Sequence, residues 1–282
     1  MTPDVFPYRP PQTFFDDARG TARAPQPWKY HRFMSPPLKS GFVSLQLAFA
    51  ERFSELGLGT ISEGVHRLTN IQRRLGLGIP TDPPTDGLWT ELLGTLEAAS
   101  SHDDRVAIVM NAVASLPEAT PEHLLHGWPT VGAFSIDRYQ NVARTHFYST
   151  VNDGESPLHP GKLSLRRREL FSVLNNVCQD HPEVDRVTGA SWLYAIRSYS
   201  SLFPASHTAN AATRSGTDTF RGMSHWGQFV DHRGDARPKF DQEFRRRLRG
   251  WHGEDLCALF PIPTLIVSSP LRNFDLDTNE SL

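Results

Sequence analysis

The chain has 282 residues, of which 38% are hydrophobic and 10% aromatic, enough to build one large domain or two small ones packed together. Its 29 basic and 31 acidic residues leave a formal net charge of −2, so no overall field draws it to nucleic acid or to an anionic membrane surface. No apolar run is long enough to cross a bilayer, and the first residues lack the basic and apolar segments of a secretory signal. Two cysteines, Cys178 and Cys257, lie far apart with no ligand spacing, which points to reduced, packed thiols. A soluble, cytoplasmic protein is the expectation.

Residues 1–37 form an arm rich in proline and aromatics. Pro3, Pro7, Pro10, Pro11, Pro25 and Pro27 disfavour regular structure, while Phe14, Phe15, Trp28 and Tyr30 favour packing on the body. Four helical stripes follow over 38–127. Leu45, Phe49, Phe53 and Leu56 recur at helical spacing and close at Gly57. Ile61, Val65, Leu68, Ile71 and Leu75 repeat the pattern, with Ser62 as N-cap and Gly76 past the end. A third stripe runs Leu88, Leu92, Leu93, Leu96, and a fourth runs Val106, Val109, Met110, Val113, Leu116. His66, His102, His123 and His126 sit near these stripes. His123 and His126 have helical i,i+3 spacing but no evident third ligand, so no metal is expected there.

At Trp128-Pro129 the character changes, and residues 128–272 read as a mixed α/β region. Val131–Asp137 and Val142–Ser149, joined around Gln140-Asn141, predict a β-hairpin. One face of its second strand carries Arg144, His146 and Tyr148; the other carries Ala143, Thr145 and Phe147. A loop over 152–157 leads to a helix from Leu163 to Cys178. Val184–Trp192 predicts a strand, and Tyr194–Leu202 a short helix. Strands separated by helices imply a parallel or mixed sheet with crossover connections. Residues 206–219 are polar and small. Phe220–Val230 predicts another strand, containing His225-Trp226-Gly227-Gln228. A helix then presents Phe240, Phe244 and Leu248, Thr264–Ser268 is a last short strand, and 273–282 is a polar tail. The basic runs Arg166–Arg168 and Arg245–Arg247 read as solvated helix faces. The fold class is therefore α/β, a central mixed sheet flanked by helices.

The common catalytic signatures are missing: no phosphate-binding P-loop, no GxGxxG after a strand, no GxSxG, no HExxH and no CxxC pair. What remains is a constellation at the expected strand ends. His146, Tyr148, Trp192, Tyr194, His225, Trp226 and Gln228 would give aromatic walls, a few donors and an imidazole, as a small-molecule pocket needs. His146 or His225 would serve as general base. His225, Asp231 and His232 also contain the residue types of a two-histidine, one-carboxylate metal site, but Asp231 and His232 are adjacent and would need a turn to converge, so no metal is assigned.

The order of elements over 131–230, together with Trp192-Leu-Tyr194-Ala-Ile-Arg197-Ser-Tyr199-Ser-Ser-Leu-Phe203, resembles the GNAT acyltransferase superfamily. That resemblance implies an acyl-coenzyme A cofactor and Tyr199 as the acid that protonates a leaving thiolate. It departs from the family at Asp153-Gly154-Glu155-Ser156-Pro157-Leu158, which has one glycine and two carboxylates where that family has a glycine-rich pyrophosphate loop. The expectations are thus an acyltransferase-like enzyme acting on a small molecule, a cofactor-free hydrolase or isomerase, or a non-enzymatic interaction protein using the arm.

Overall fold

A computed structural model describes residues 38–78, 80–115, 127–148, 155–214 and 220–276. The N-terminal arm, Leu116, His123, His126, residues 149–154 and the end of the polar tail lie outside the described residues.

Helix α1 (Ser40–Glu55) is the centre of the helical part. Phe42, Val43, Leu45, Leu47, Phe49 and Ala50 are all buried on it, so it is covered on most sides. It ends at Leu56, and Gly57 takes φ +68°, a left-handed turn that glycine adopts without a Cβ penalty. Helix α2 (Ile61–Leu68) starts at the first residue of its apolar stripe, two residues before the expected cap would allow. Thr60, not Ser62, is the N-cap: its side chain accepts from Glu63 N, and Glu63 Oε2 accepts from Thr60 N at 2.8 Å. Ser62 Oγ instead donates to Leu93 O at 2.8 Å. Gly64 is needed where α1 and α2 cross, because a Cβ there would lie 2.9 Å from Ala50 Cα.

The single helix expected over 61–75 is broken in two. Thr69 turns extended, its hydroxyl donating back to Val65 O at 2.6 Å, and Asn70 N donates to the buried Gln46 Oε1 at 2.8 Å. Those side-chain bonds replace the helical ladder, and one turn, α3 (Ile71–Arg74), follows. Helix α4 (Gly87–Ala98) is capped by Asp86, and α5 (His102–Ser115) completes the group.

The sheet has six strands in the order β1-β2-β3-β4-β6-β5. β1 (Thr130–Val131) and β2 (Phe134–Tyr139) are antiparallel, as are β2 and β3 (Val142–Phe147), with Gln140 at φ +53° in the hairpin turn. Helix α6 (Leu163–Asp180) carries the chain from β3 across to β4 (Arg186–Ser191), which pairs with β3 in parallel. One-turn helices α7 (Arg197–Ser200) and α8 (Ala205–Thr208) follow, then the two-residue strand β5 (Ala212–Thr213). β6 (Leu265–Pro270) enters antiparallel between β4 and β5.

Arg166 corrects the expectation of a solvated basic face on α6. Its side chain is buried, with Nη1 2.6 and 2.5 Å from the two oxygens of Glu169. Arg167 and Arg168 of that run are exposed as expected, with the Arg167 guanidinium 5.1 Å from the Phe171 ring centroid.

Segment 220–230 is also not a strand. Met223–Trp226 is a one-turn helix, α9, and Gly227–Phe229 a 3₁₀ turn. With α10 (Pro238–Arg249) it folds back onto the helical part, so the apolar cluster around α1 takes in Phe220, Trp226, Phe229, Phe244, Trp251 and Phe260. Phe49 alone meets five of these rings at 5.6 to 6.3 Å. A second apolar cluster fills the sheet and α6, around Phe134, Leu170, Leu174, Val187, Tyr194 and Tyr199. The two meet where Ser224 Oγ donates to Ala190 O (2.9 Å) and Thr264 Oγ1 donates to Ser224 O (2.8 Å). No helix among the described residues is long and apolar enough to cross a membrane.

Candidate active site

The residues expected to line one pocket lie in three neighbourhoods. The first is the outer face of β3. There the His146 ring stacks on Trp128 at 4.6 Å and on Tyr148 at 6.3 Å, with His146 Nε2 4.0 Å from Asp137 Oδ2. The second is the interior of the sheet. Tyr194 Oη is 3.0 Å from Thr145 Oγ1, and burial pushes its phenol up to about 12. Tyr199 is 2% exposed, its ring 5.1 Å from that of Tyr194, and its pKa is raised well above the usual phenol value, first by burial and then by Tyr194.

The third neighbourhood is the helical core. His225 lies between Phe220 (4.7 Å) and Phe260 (4.9 Å), and Trp226 is wholly enclosed. Gln228 brackets one residue, its Nε2 donating to Ile262 O and its Oε1 accepting from Ile262 N. Trp192 stands at the seam with the sheet, with the Arg237 guanidinium 5.4 Å from its ring centroid. A strand would have aimed His225 and Trp226 to opposite faces. The helical turn instead buries both, because Phe220, Trp226 and Phe229 find α1 and α10 to pack against. The expected meeting of rings at one open end of the sheet therefore does not occur.

A different set of chemical groups does converge. Ser44 and Glu51 lie seven residues apart on α1, two helical turns, and so share one face. Helix α5 packs on that face and places His102, its first residue, between them. His102 Nδ1 is 2.7 Å from Glu51 Oε2, and His102 Nε2 is 2.8 Å from Ser44 Oγ. A carboxylate only accepts, so Nδ1 carries the ring proton and Nε2 presents its lone pair to the Ser44 hydroxyl. This tautomer is the one that can take a proton from serine.

Two arginines brace the relay. Arg105 Nη1 binds Glu51 Oε1 at 2.9 Å, while its other nitrogens donate to Leu96 O and Ala99 O at the end of α4. Arg245, from α10, is held by Asp241 through Nε (3.1 and 3.2 Å) and directs Nη2 to Ser44 Oγ at 3.3 Å. Ser44 thus accepts from a cation and donates to an imidazole. The His102 side chain is 32% exposed and Glu51 17%, so solvent reaches the base while the carboxylate is largely sheltered. A cleft of about 310 Å³ opens beside His102, bounded by Glu51, Ser54, Ile61, Ser101 and Arg105.

Of these groups only His102 is conspicuous in the sequence. The shared face of Ser44 and Glu51 is legible, but its partners His102, Arg105 and Arg245 come from 51 residues or more further on. Among the described residues, no group of three or more histidine, cysteine, aspartate or glutamate side chains could hold a metal ion. Comparison with known proteins finds no matching family model, no matching curated protein and no matching solved structure.

Proposed function

We propose that the chain is a small-molecule hydrolase or acyltransferase that forms an acyl-enzyme on Ser44. The observation that carries this reading is the continuous relay Ser44 Oγ, His102 Nε2, His102 Nδ1, Glu51 Oε2, with links of 2.8 and 2.7 Å. That is nucleophile to base and base to orienter, the arrangement by which serine is activated on unrelated folds.

Ser44 Oγ attacks the acyl carbonyl as Nε2 removes its proton, and Glu51 stabilises the imidazolium. The proton passes from Nε2 to the leaving group as the tetrahedral intermediate collapses. Water or another acceptor, deprotonated in turn by Nε2, then releases the acyl group and restores Ser44. Arg245 Nη2, already on Ser44 Oγ at 3.3 Å, supplies a donor for the oxyanion. Acyl transfer from coenzyme A with Tyr199 as acid needs a phenol that a thiolate can reach. Tyr199 at 2% exposure is a poorer candidate than a half-buried serine already joined to a base.

The test uses a fluorophosphonate probe and p-nitrophenyl acetate with the full chain. We expect covalent labelling at Ser44 by peptide mass spectrometry, and ester turnover that falls by about 10³-fold or more in Ser44→Ala and by about 10²-fold or more in His102→Gln. Both variants should keep the parent far-ultraviolet spectrum, since neither side chain is fully buried. Labelling elsewhere, or turnover unchanged in Ser44→Ala, refutes the reading.

A further inference from the structure

On a different part of the helical core, a second cleft of about 380 Å³ has features the Ser44 relay does not explain. Phe53, Leu68, Phe220 and Trp251 give it apolar and aromatic walls, and all four are buried side chains of the core. Its charged residues come from two elements. Arg67 stands on the last turn of α2, and Glu254 and Asp255 lie on the loop after α10. Among the described residues the Arg67 side chain makes no ion pair and no hydrogen bond.

Both carboxylates are partnered within their own loop and, among the described residues, not by a cation. Glu254 accepts from His252 N through Oε2, and Asp255 accepts from Cys257 N through Oδ1. An apolar wall with one unmatched cation and two anions that no cation neutralises suits an occupant with an apolar body and both charges at one end. A simple fatty or aromatic acid would meet the two carboxylates, and a simple amine would meet Arg67. We propose that this cleft binds a free α-amino acid with an apolar side chain. Arg67 takes the carboxylate, Glu254 and Asp255 take the ammonium, and the side chain lies against Phe53 and Trp251.

Cys257 lines the same cleft and reports on it. Its thiol is half-buried, its Sγ 3.4 Å from Arg214 O, and burial followed by the Asp255 charge pushes it up to about 11. Cys178, on α6, is a second half-buried thiol remote from the cleft and serves as internal control. The experiment follows alkylation of both thiols by N-ethylmaleimide in the full chain, with L-phenylalanine, L-leucine, L-serine, phenylacetate and phenethylamine as added ligands.

The expected result is that L-phenylalanine and L-leucine slow alkylation of Cys257 at least about fivefold with Cys178 unaffected, while the other three protect much less. In Arg67→Glu, an exposed position whose loss does not threaten folding, half-protection by L-phenylalanine should need about tenfold more ligand, with phenethylamine unchanged or improved. No protection by either apolar amino acid overturns the proposal. Equal protection by phenylacetate or phenethylamine, or insensitivity to Arg67→Glu, overturns it too, by showing an unselective apolar surface. Thiol protection is read independently of ester turnover, so this proposal and the Ser44 relay stand or fall separately.

Discussion

Two buried imidazoles should make the folded state acid-labile well above the range in which carboxylates titrate. His207 is enclosed by Phe203, stacked at 5.2 Å, and by Phe274 at 5.1 Å, with Nδ1 2.8 Å from Ser269 Oγ. Burial lowers its pKa from 6.5 to about 4. His225 lies between Phe220 and Phe260, with Nδ1 3.0 Å from Thr264 Oγ1. Thr264 spends its own proton on Ser224 O, so Nδ1 is the donor and Nε2 is left without a hydrogen-bond partner among aromatic carbons. Burial, and then the charge of Arg214, lower its pKa to about 3.

Both folded-state values lie below the unfolded one, so the unfolded chain binds more protons between them. Stability is therefore full above about pH 6.5 and is lost as pH falls, with a slope of about 1.4 kcal/mol per pH unit for each histidine. At pH 4.5, two units below the unfolded value and still above both folded ones, each contributes a loss of about 2.7 kcal/mol, about 5 kcal/mol together. That is a large part of the 5–15 kcal/mol typical of a folded domain, roughly enough to unfold a marginal one.

The assay is urea denaturation followed by tryptophan fluorescence at pH 7.5, 6.5, 5.5 and 5.0. Carboxylates such as Glu243, held near 2 by Arg246 and Arg247, act only at lower pH, so this window isolates the histidines. His207→Phe keeps a flat ring among Phe203 and Phe274, and His225→Asn keeps a donor for Thr264. Each should remove about half of the pH slope, whatever its cost at pH 7.5. A stability that is flat from pH 7 to 5, or a slope unchanged in both variants, would refute the argument.

Two further outcomes test the packing of the sheet. Glu169→Gln leaves Arg166, 1% exposed, with its charge uncompensated, and weakens the acceptor for Ala133 N (3.0 Å); stability should fall by about 3–5 kcal/mol. The double change Arg166→Met with Glu169→Leu should cost less than Glu169→Gln alone in urea denaturation, and an equal or greater cost would mean that shape, not the unpaired charge, dominates. Gly189→Ala puts a Cβ 2.1 Å from Tyr194 Oη and 2.9 Å from Thr145 Oγ1, so the Tyr194–Thr145 bond must break. The expected loss is about 2–4 kcal/mol, with an upfield methyl resonance as a sign of ring contact; a loss below about 0.5 kcal/mol would show that the site relaxes freely.

Local patterns in the chain determined its helices, its hairpin, the α6 crossover and the α/β class, because each follows from apolar spacing and turn residues within one segment. They failed where a tertiary contact outweighed the local signal. Thr69 and Asn70 broke a continuous stripe because Gln46, on another helix, offered a better bond. Residues 220–229 read as a strand from their aromatics, yet they coil so that Phe220, Trp226 and Phe229 can bury against Phe49 and Phe244. The same folding-back scattered the rings expected to form one pocket. It also brought Arg245 to Ser44, while packing of α5 on α1 brought His102 to Ser44 and Glu51. A relay made of one serine, one histidine and one carboxylate from two helices has no sequence spacing of its own, since only the crossing of those helices sets its distances.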